Sequence, residues 1–592
     1  MKKYIEEMTK DYTSRPLSPW HMPGHKRKPL YGGFWDDAFS RDLTEVPGTD
    51  DYHHPEGAIR DSQVAAAEVY KAAYSHYLVG GSTAGILAGI LALTEIYRDK
   101  EKETPRAEIF RDNRDEMKGE AGAEIFRDNR DEMREEAGTE IFRKNKRTGP
   151  MGENTERPIF LVAGNVHRSV HHALRFAAAD AVTLEPEGDF YYGPIIPEEV
   201  EKVLARLKAN GEISRVAGCV ITSPTYGGAI SPLAEIHEIL GKEGIPLLVD
   251  EAHGAHLPFI PELSEYSGIV AGAELVVQSL HKTLPALTQT GIIHVGKSGL
   301  CNREDKSNKE NPDKENPDKE NPDNENSDKE NPDKENPDKK DMGELTEQKC
   351  TSDEKSVFLQ TLERKLTHQL SVVQSSSPSY LLLASAEQAV AWADEHREEF
   401  DAYHQRVLVF RERMREVLST ENRIILTDLP WKQDPTRLFL RIISEENEDD
   451  PGLYGNGGKA VHPHPAVSVS RIAEYLEKEE GIVVELAGKD ELILISTVAD
   501  RDEDFERLLT ALKCVAEKLN SGEFTDMGGG EDEKQGGQNS GASILKPGET
   551  AKCDIYVYPP GILIVREGDS VTEEMVLRIN EELAAGRTVR GL

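Results

Sequence analysis

Two neighbouring stretches decide the fold: IPLLVDEAHGAH at Ile245–His256 and AELVVQSLHK at Ala273–Lys282. Each contains a short apolar run and then ends in charged or polar residues. Continuous apolar runs of this length are typical of strands that are buried on both faces of a parallel sheet. The carboxyl ends of such strands lie at one edge of the sheet. We therefore expect Asp250 and Lys282 to lie close together at that edge.

The surrounding sequence repeats this alternation of apolar runs and helical patterns. Two further strand-like runs lie upstream, PIFLVAGN at Pro158–Asn165 and VAGCVITSP at Val216–Pro224. They predict an α/β protein whose large domain holds a mainly parallel sheet covered by helices. Downstream, a smaller C-terminal α+β domain is predicted by RLFLRIIS at Arg437–Ser444, GIVVELAGKDELILIST at Gly481–Thr497 and a helical pattern at Asp504–Leu519.

Three polar stretches interrupt these patterns. Ala107–Gly122 is copied with few changes at Ala123–Gly138, and we interpret it as a surface insertion. NPDKE units repeat from Asn308 to Lys340 without apolar side chains, which predicts disorder. Gly522–Pro547 is typical of a flexible linker. The predicted domains are an N-terminal arm at 1–60, a large domain at 61–400 with polar inserts at about 100–156 and 298–355, and a C-terminal small domain at 401–592 with a flexible stretch at about 520–550.

The composition argues against several classes of partner. The 592-residue chain has 71 Lys and Arg against 108 Asp and Glu, a formal net charge of -37. Such a surface repels nucleic acid and anionic lipid, so we expect neither as a partner. Met1–Arg15 has no apolar core of signal-peptide length, and Ala84–Leu93 is too short to span a bilayer. The five cysteines form no C-x-x-C pair, as expected of reduced thiols in a cytoplasmic protein.

The pair of residues at the predicted sheet edge suits pyridoxal 5'-phosphate (PLP). The Lys282 amine can hold the aldehyde as a Schiff base, and the Asp250 carboxylate can keep the pyridine nitrogen protonated. Gly80–Gly85, with the hydroxyls of Ser82 and Thr83, opens a helical pattern and suits a phosphate group. An ordinary helix N-cap explains the same letters, so that motif alone leaves both interpretations open.

A histidine is predicted at the same edge. Asn165–Ser169 follows the strand-like run Ile159–Ala163, so the ring of His167 can lie flat against a cofactor ring. A metal site is the alternative, because His167 and His171 are spaced i, i+4, but no Cys, Asp or Glu completes a ligand set at metal spacing. We therefore predict no metal.

Two motifs suggest an ATPase instead. Asp250–His253 spells DEAH, and Gly291–Ser298 fits G-x-x-x-x-G-K-S letter for letter. A phosphate-binding loop of this kind must lie between a strand and a helix and normally precedes the acidic motif. Here it follows that motif and leads into the NPDKE repeats, so the context argues against an ATPase.

Taken in order, these motifs resemble those of the PLP-dependent ornithine/lysine/arginine decarboxylases of fold type I, in the short form without an N-terminal receiver-like domain. The resemblance runs through most of the chain apart from the inserts. It rests on HMPGH (21–25), DLTE (42–45), HPEGAI (54–59), GSTAG (81–85), NVHRS (165–169), SPTY (223–226), DEAH (250–253), SLHK (279–282), SSSPSY (375–380) and YPPG (558–561).

The resemblance implies a role for each matched site residue. Lys282, His167 and Asp250 would be the catalytic residues, as the Schiff-base lysine, the residue stacked on the ring and the partner of the ring nitrogen. His253 would line the ring pocket. The cofactor phosphate would contact Ser82, Thr83, Ser279 and His281.

The resemblance also implies the reaction and the assembly. We expect decarboxylation of a basic amino acid to a polyamine or polyamine precursor, with arginine favoured over lysine and ornithine. The family assembles its site at a dimer interface, so we expect a homodimer or a higher homo-oligomer in which Ser375–Tyr380 approaches the partner's cofactor. One departure concerns specificity: the family's Pro-Gly-Glu near the C-terminus is Glu567-Gly568-Asp569 here.

Two other functions stay open. A PLP-dependent aminotransferase would use Asp250, Lys282 and the predicted phosphate-binding segment Gly80–Gly85, here called the phosphate cup, equally well, although no Arg stands in an obvious motif to clamp the α-carboxylate. A non-catalytic scaffold that acts through its repeats is the remote alternative, and intact Lys282 and Asp250 argue against it.

Overall fold

The computed structural model describes eleven ranges of the chain. They are residues 1–15, 26–28, 32–103, 156–188, 191–297, 352–419, 423–443, 467–524, 545–558, 561–584 and 588–592. The predicted repeats at 107–149 and 308–340 lie outside these ranges, as do residues 21–25, Pro559, Pro560 and most of the predicted flexible stretch at 520–550.

Helices and strands alternate through the first half of the described chain. The helices are α1 (Tyr4–Ser14), α2 (Phe34–Arg41), α3 (Ala58–Tyr70), α4 (Gly81–Glu103), α5 (Arg168–Phe176), α6 (Pro197–Ala209), α7 (Leu233–Lys242), α8 (Gly268–Ala271), α9 (Leu280–Thr283), α10 (Ser352–Val373), α11 (Tyr380–Glu395), α12 (Arg397–Ser419), α13 (Val469–Lys478), α14 (Asp502–Ser521) and α15 (Glu573–Ala584). The strands are β1 (Tyr74–Leu78), β2 (Ile159–Ala163), β3 (Asp180–Leu184), β4 (Val216–Thr222), β5 (Leu247–Asp250), β6 (Leu275–Gln278), β7 (Gly291–Val295), β8 (Ile424–Leu426), β9 (Arg437–Ile442), β10 (Leu486–Ala487), β11 (Glu491–Ile495), β12 (Ile555–Tyr558), β13 (Ile562–Val565) and β14 (Thr588–Arg590).

The large sheet has seven strands in the order β1-β7-β6-β5-β4-β2-β3. Strands β6, β5, β4, β2 and β3 pair in parallel, whereas β7 is antiparallel to both of its neighbours. Every side chain of β2, β4, β5 and β6 is buried, as their continuous apolar runs predict. The predicted mainly parallel α/β sheet is therefore confirmed.

Strand β7 also shows that the G-x-x-x-x-G-K-S motif is not an ATPase phosphate-binding loop. Residues 291–295 of that motif form a buried strand between β1 and β6 of the large sheet. A P-loop would need this segment to be a loop between a strand and a helix. The match to the ATPase pattern is therefore accidental.

Two glycines bring α4 close to the sheet. A Cβ on Gly85 would lie 2.7 Å from Leu78 Cδ1 and 2.9 Å from Val277 Cγ1, and a Cβ on Gly89 would lie 2.6 Å from Leu248 Cδ1. Any larger side chain would push the helix outwards. Because α4 begins just after β1 ends, this close packing fixes its N-terminus at the carboxyl edge of the parallel strands.

The C-terminal part contains two separate antiparallel sheets rather than one. Strands β10-β11-β9-β8 form the first sheet, and strands β13-β12-β14 form the second. The second sheet has a small apolar cluster of its own, which includes Ile555, Val557, Val565 and Val589. Helices α12 to α15 complete an α+β part, as predicted. The predicted boundary near residue 400 falls in the first turns of α12 and stays a prediction.

Backbone contacts hold the start of β9 against the large sheet. Asp434 N donates to Gly228 O at 2.8 Å, and Ile230 N donates to Lys432 O at 2.8 Å. Gly228 has a φ of +96°, and a Cβ there would lie 2.7 Å from Arg437 Cγ. Glycine at this position therefore lets the side chain of Arg437 pass over the sheet edge.

Within the described ranges, no helix combines the length and the apolar character that a bilayer crossing requires.

Candidate active site

Asp250 and Lys282 lie at the carboxyl edge of two adjacent strands. Asp250 is the last residue of β5 and pairs with Val277 of β6, and Lys282 follows in the short helix α9. The Asp250 side chain is buried and accepts a hydrogen bond from Ala252 N at 3.2 Å. The structure thus brings the two residues to one edge, as the sequence predicts.

His253 lies between Lys282 and an arginine from the C-terminal part. Its Nε2 atom is 3.1 Å from Lys282 Nζ, and its Nδ1 atom accepts a hydrogen bond of 2.8 Å from Arg437 Nη2. The ring of Tyr226 meets the His253 ring edge to face, with centroids 5.5 Å apart. The Tyr226 hydroxyl in turn donates to Glu485 Oε1 at 2.8 Å. These contacts build a compact polar site around the lysine amine.

Burial shifts the titration of the central groups. It raises the pKa of Asp250, and the nearby Lys282 partly opposes that shift. It lowers the pKa of Lys282, and Asp250 partly opposes that shift in turn. It lowers the pKa of His253 well below its ordinary value and that of His167 to about 4, with the charge of Lys282 adding to both effects. Both histidine rings are therefore neutral at pH 7.

His167 is held from two sides. It caps the N-terminus of α5, where its Nδ1 accepts from Ser169 N at 3.2 Å and lies 2.8 Å from Ser169 Oγ. On the other side it forms a β-bridge with Ile562, and Arg168 N donates to Gly561 O at 2.9 Å. The segment after β12 therefore holds the backbone of His167, whose ring is predicted to lie against the cofactor.

The predicted phosphate cup lies at the start of α4. Gly81 has a φ of +72°, Ser82 is half-buried and Thr83 is exposed. A Cβ on Gly291 would lie 3.3 Å from Ser82 N, so the first residue of β7 reaches the start of this helix closely. Glycines on both sides thus leave backbone N–H groups close to one surface.

Two further predicted phosphate contacts follow β6. The Ser279 hydroxyl is buried, and no hydrogen-bond partner for it is found among the described residues. His281 Nδ1 donates a hydrogen bond of 2.7 Å to Thr290 O. A buried hydroxyl without a partner is costly unless a ligand satisfies it, so Ser279 fits an anionic group in this position.

The Ser375–Tyr380 segment lies near the phosphate cup of its own chain. His53 Nε2 is 2.8 Å from Ser375 O, and Tyr380 donates to the backbone carbonyl of Asp50. Just before the segment, Gln374 Oε1 accepts from Val79 N at 3.1 Å. Its predicted approach to a partner's cofactor stays a prediction.

Three further residues belong to the site, although the sequence motifs indicate no role for them: Arg437, Tyr226 and Glu485. Arg437 is the first residue of the RLFLRIIS run, and the sequence does not show that this run packs against the large sheet. The close contact between Gly228 and the Arg437 side chain places Arg437 at the sheet edge. The SPTY motif contains Tyr226, and that match is the only signal in the sequence for this group of residues. In the described ranges, no three of the His, Cys, Asp or Glu side chains come together as a metal site would require.

The fold is similar to that of known amino-acid decarboxylases. The fold matches the crystal structure of the lysine decarboxylase of Francisella novicida with a TM-score of 0.63 at 16% identity, over 99% of this chain and 79% of that chain. The constitutive lysine decarboxylase of E. coli matches with a TM-score of 0.61 at 15% identity, over 100% of this chain and 80% of that chain. The predicted fold class, α/β of PLP fold type I, is confirmed.

Sequence comparisons then confirm the predicted resemblance. Residues 5–96 and 151–310 match the model of the Orn/Lys/Arg decarboxylase major domain. An arginine decarboxylase of Bacillus subtilis is 23% identical over 98% of this chain and 94% of that protein. The uncharacterized protein YaaO of the same organism is 31% identical, but over only 50% of this chain and 48% of that protein.

Proposed function

We propose that this chain is a PLP-dependent decarboxylase of a basic amino acid, with arginine favoured over lysine and ornithine. The observation that carries the proposal is the Lys282 amine at a buried sheet edge next to Asp250, within the part of the chain that matches the decarboxylase family. The resemblance of the full chain to arginine decarboxylases supports arginine as the substrate.

The residues at the edge fit PLP. Lys282 would hold the aldehyde, Asp250 would accept a hydrogen bond from the ring nitrogen, and His167 would lie against the ring. Ser279, whose buried hydroxyl finds no partner in the described chain, would donate to the phosphate with Ser82, Thr83 and His281. When bound, PLP supplies a protonated aromatic ring that accepts the electron pair left behind as the carboxylate departs as CO2.

The chain's own groups would supply the proton that completes the reaction. The carbon that loses CO2 must gain a proton from a group within hydrogen-bond reach. Lys282 Nζ and His253 Nε2 lie 3.1 Å apart, so both are within reach of the same point in the site. Because the low pKa of His253 leaves its ring neutral, the donor would be Lys282, which would carry the proton that it takes from the substrate's amine.

A PLP-dependent aminotransferase is the second candidate, and one observation favours it. Arg437 is fully buried in the site, and its Nε and Nη1 atoms have no hydrogen-bond partner within the described ranges. A guanidinium in this state can bind an α-carboxylate, which is the group that a transaminase must hold. The family match favours the decarboxylase.

The deciding experiment measures products with arginine, lysine and ornithine. The purified chain with PLP is assayed for CO2 and for the matching amine, beside a Lys282→Ala variant. We expect CO2 and amine in equal amounts from arginine, and none from the variant. In a parallel assay with 2-oxoglutarate as amino acceptor, formation of glutamate and a new 2-oxo acid or its cyclic product without CO2 would identify an aminotransferase. No release of CO2 from any of the three amino acids would exclude the proposed activity.

We further propose that the enzyme is a homodimer or higher homo-oligomer of the cytoplasm, and that its product enters polyamine synthesis. These proposals rest on the family resemblance and, for the cytoplasm, on the five cysteines, which form no C-x-x-C pair. The substrate's distal cation would need an acidic partner. In the Glu567-Gly568-Asp569 segment, the shorter Asp569 stands where the family has Glu, so the acid available there differs from that of the family.

A further inference from the structure

Three side chains form a continuous hydrogen-bonded line through the site. Arg437 Nη2 is 2.8 Å from His253 Nδ1, and His253 Nε2 is 3.1 Å from Lys282 Nζ. Arg437 and His253 are buried, so water does not readily replace either contact. Each ring nitrogen of His253 therefore has one partner of fixed identity.

The chemistry of these partners determines where the protons lie. An arginine guanidinium only donates hydrogen bonds, so His253 Nδ1 must accept from Arg437. A neutral imidazole whose Nδ1 accepts carries its proton on Nε2. That N–H points at Lys282 Nζ, which can accept it only as a neutral amine, because an ammonium group has no free lone pair.

We infer that Arg437 is a positioning residue, which fixes the tautomer of His253 and thereby holds the Lys282 amine in its unprotonated, nucleophilic form. The inference rests on the proposed function, in which Lys282 reacts with the cofactor aldehyde. An ammonium group at Lys282 would face the N–H of His253 and lose this hydrogen bond.

The surroundings of Lys282 both raise and lower its pKa. Burial and the charge of Arg437 favour the neutral amine, whereas the carboxylates of Asp250 and Glu485 favour the ammonium. The net result is a lowered pKa of Lys282, in which burial is the largest cause. The hydrogen bonds from Arg437 through His253 to Lys282 therefore favour the neutral amine in addition to burial.

The charges around His253 exclude the doubly protonated ring. Burial is the largest cause of its lowered pKa, and Lys282, Arg437, His167 and His256 all act in the same direction. Tyr226, which meets the ring edge to face, is itself protonated because burial raises its pKa. The ring therefore stays neutral, as the tautomer argument requires.

The surroundings of Arg437 hold it in this position. Arg411 Nη1 donates to Arg437 O at 3.0 Å, and Arg437 N donates to Asp434 O at 3.2 Å. Asp434 is fully buried, and although burial would raise its pKa, His256 and Arg437 hold that pKa at about 2. A permanent carboxylate thus stabilises the buried guanidinium.

Competitive labelling of Lys282 tests this inference without any substrate. The full-length chain, freed of PLP, is treated with trace acetic anhydride at a series of pH values. Mass spectrometry of the Lys282 peptide gives the titration midpoint of that amine. We expect Arg437→Met to raise the midpoint by about one pH unit or more, and Arg437→Lys to restore part of the shift. Arg441→Met, on the same strand, should leave the midpoint unchanged.

A double variant separates the tautomer effect from the direct effect of charge. In a His253→Leu background, Arg437→Met should shift the Lys282 midpoint far less than it does in the wild type. Equal shifts in the two backgrounds would mean that Arg437 acts through its charge alone, and no shift in either would also overturn the inference. If Arg437→Met does not fold, Arg437→Ala, which also removes the donor, carries the same comparison. Because no substrate is present, failure here is distinct from failure of the decarboxylase assay.

Discussion

A methyl group on Gly561 would lie 3.2 Å from both Cδ2 and Nε2 of the His167 ring. The φ of Gly561 is +107°, so a side chain there is also strained by the backbone. The turn between β12 and β13 thus lies against the His167 ring, which is proposed to stack on PLP, at a position that only glycine can occupy without strain.

Gly561→Ala should therefore disturb His167 and lower activity. We expect kcat/KM to fall roughly tenfold or more, since a displacement that costs about 1.4 kcal/mol has that effect. Gly568→Ala is the matched control, because Gly568 has a φ of +90° but no atom of the described chain lies within 4 Å of its added Cβ. Equal losses in the two variants would show that backbone strain, rather than contact with His167, causes the effect.

The sequence predicted the parts of the site that follow strand ends. Asp250, Lys282 and His167 each come directly after or close to a buried apolar run, so the parallel sheet alone places them at one edge. Arg437 and Gly561 reach the same edge from separate C-terminal sheets, through contacts between residues far apart in the chain. Local periodicity carries no information on such contacts, so the YPPG and RLFLRIIS stretches do not indicate that Gly561 and Arg437 belong to the site.

Ser279→Ala should have opposite effects on stability and on cofactor binding. Removal of a buried hydroxyl that has no partner in the described chain should leave the PLP-free protein as stable or up to about 1 kcal/mol more stable. Loss of a phosphate contact should raise the Kd for PLP about tenfold. Urea unfolding and PLP titration by absorbance measure the two effects.

Thr283→Val is the control for Ser279→Ala. The Thr283 hydroxyl is also buried and has no partner in the described ranges, but no role in phosphate binding is proposed for it. Its removal should leave the Kd for PLP unchanged. An equal rise in Kd for both variants would remove the support for Ser279 as a phosphate ligand.

Glu251 should make stability depend on pH. Burial raises its pKa from 4.5 to about 8, although Gly268 N, Gln278 and Ser267 donate hydrogen bonds to it and partly oppose the shift. The folded state then binds the proton more tightly than the unfolded state, so the stabilisation present below about pH 4.5 is lost as the pH rises toward 8.

Glu251→Gln should remove this dependence. Relative to the variant, the wild type should lose about 1 to 3 kcal/mol of unfolding free energy between pH 5.5 and pH 8. Urea unfolding at the two pH values measures the difference, and Glu243→Gln, near the protein surface, serves as the control. A gain in relative wild-type stability at pH 8 would contradict the raised pKa.

Glu485 is our candidate partner for the cationic end of the substrate. Its carboxylate accepts from the Tyr226 hydroxyl at 2.8 Å, and it acts electrostatically on Lys282, so it faces the site. Basic amino acids carry a positive charge several bonds from the α-carbon, and a carboxylate at the rim of the site would bind that charge.

Glu485→Gln should therefore raise KM for the preferred basic amino acid about tenfold and change kcat little, as the loss of a binding contact worth about 1.4 kcal/mol predicts. High salt should reduce the difference between wild type and variant, because Glu485 is exposed. Tyr475 and Glu480 form a similar pair at 2.9 Å in the C-terminal part, and Glu480→Gln should leave KM unchanged. If Glu485→Gln lowers kcat with an unchanged KM, Glu485 acts on Lys282 instead, and the substrate's cation binds elsewhere.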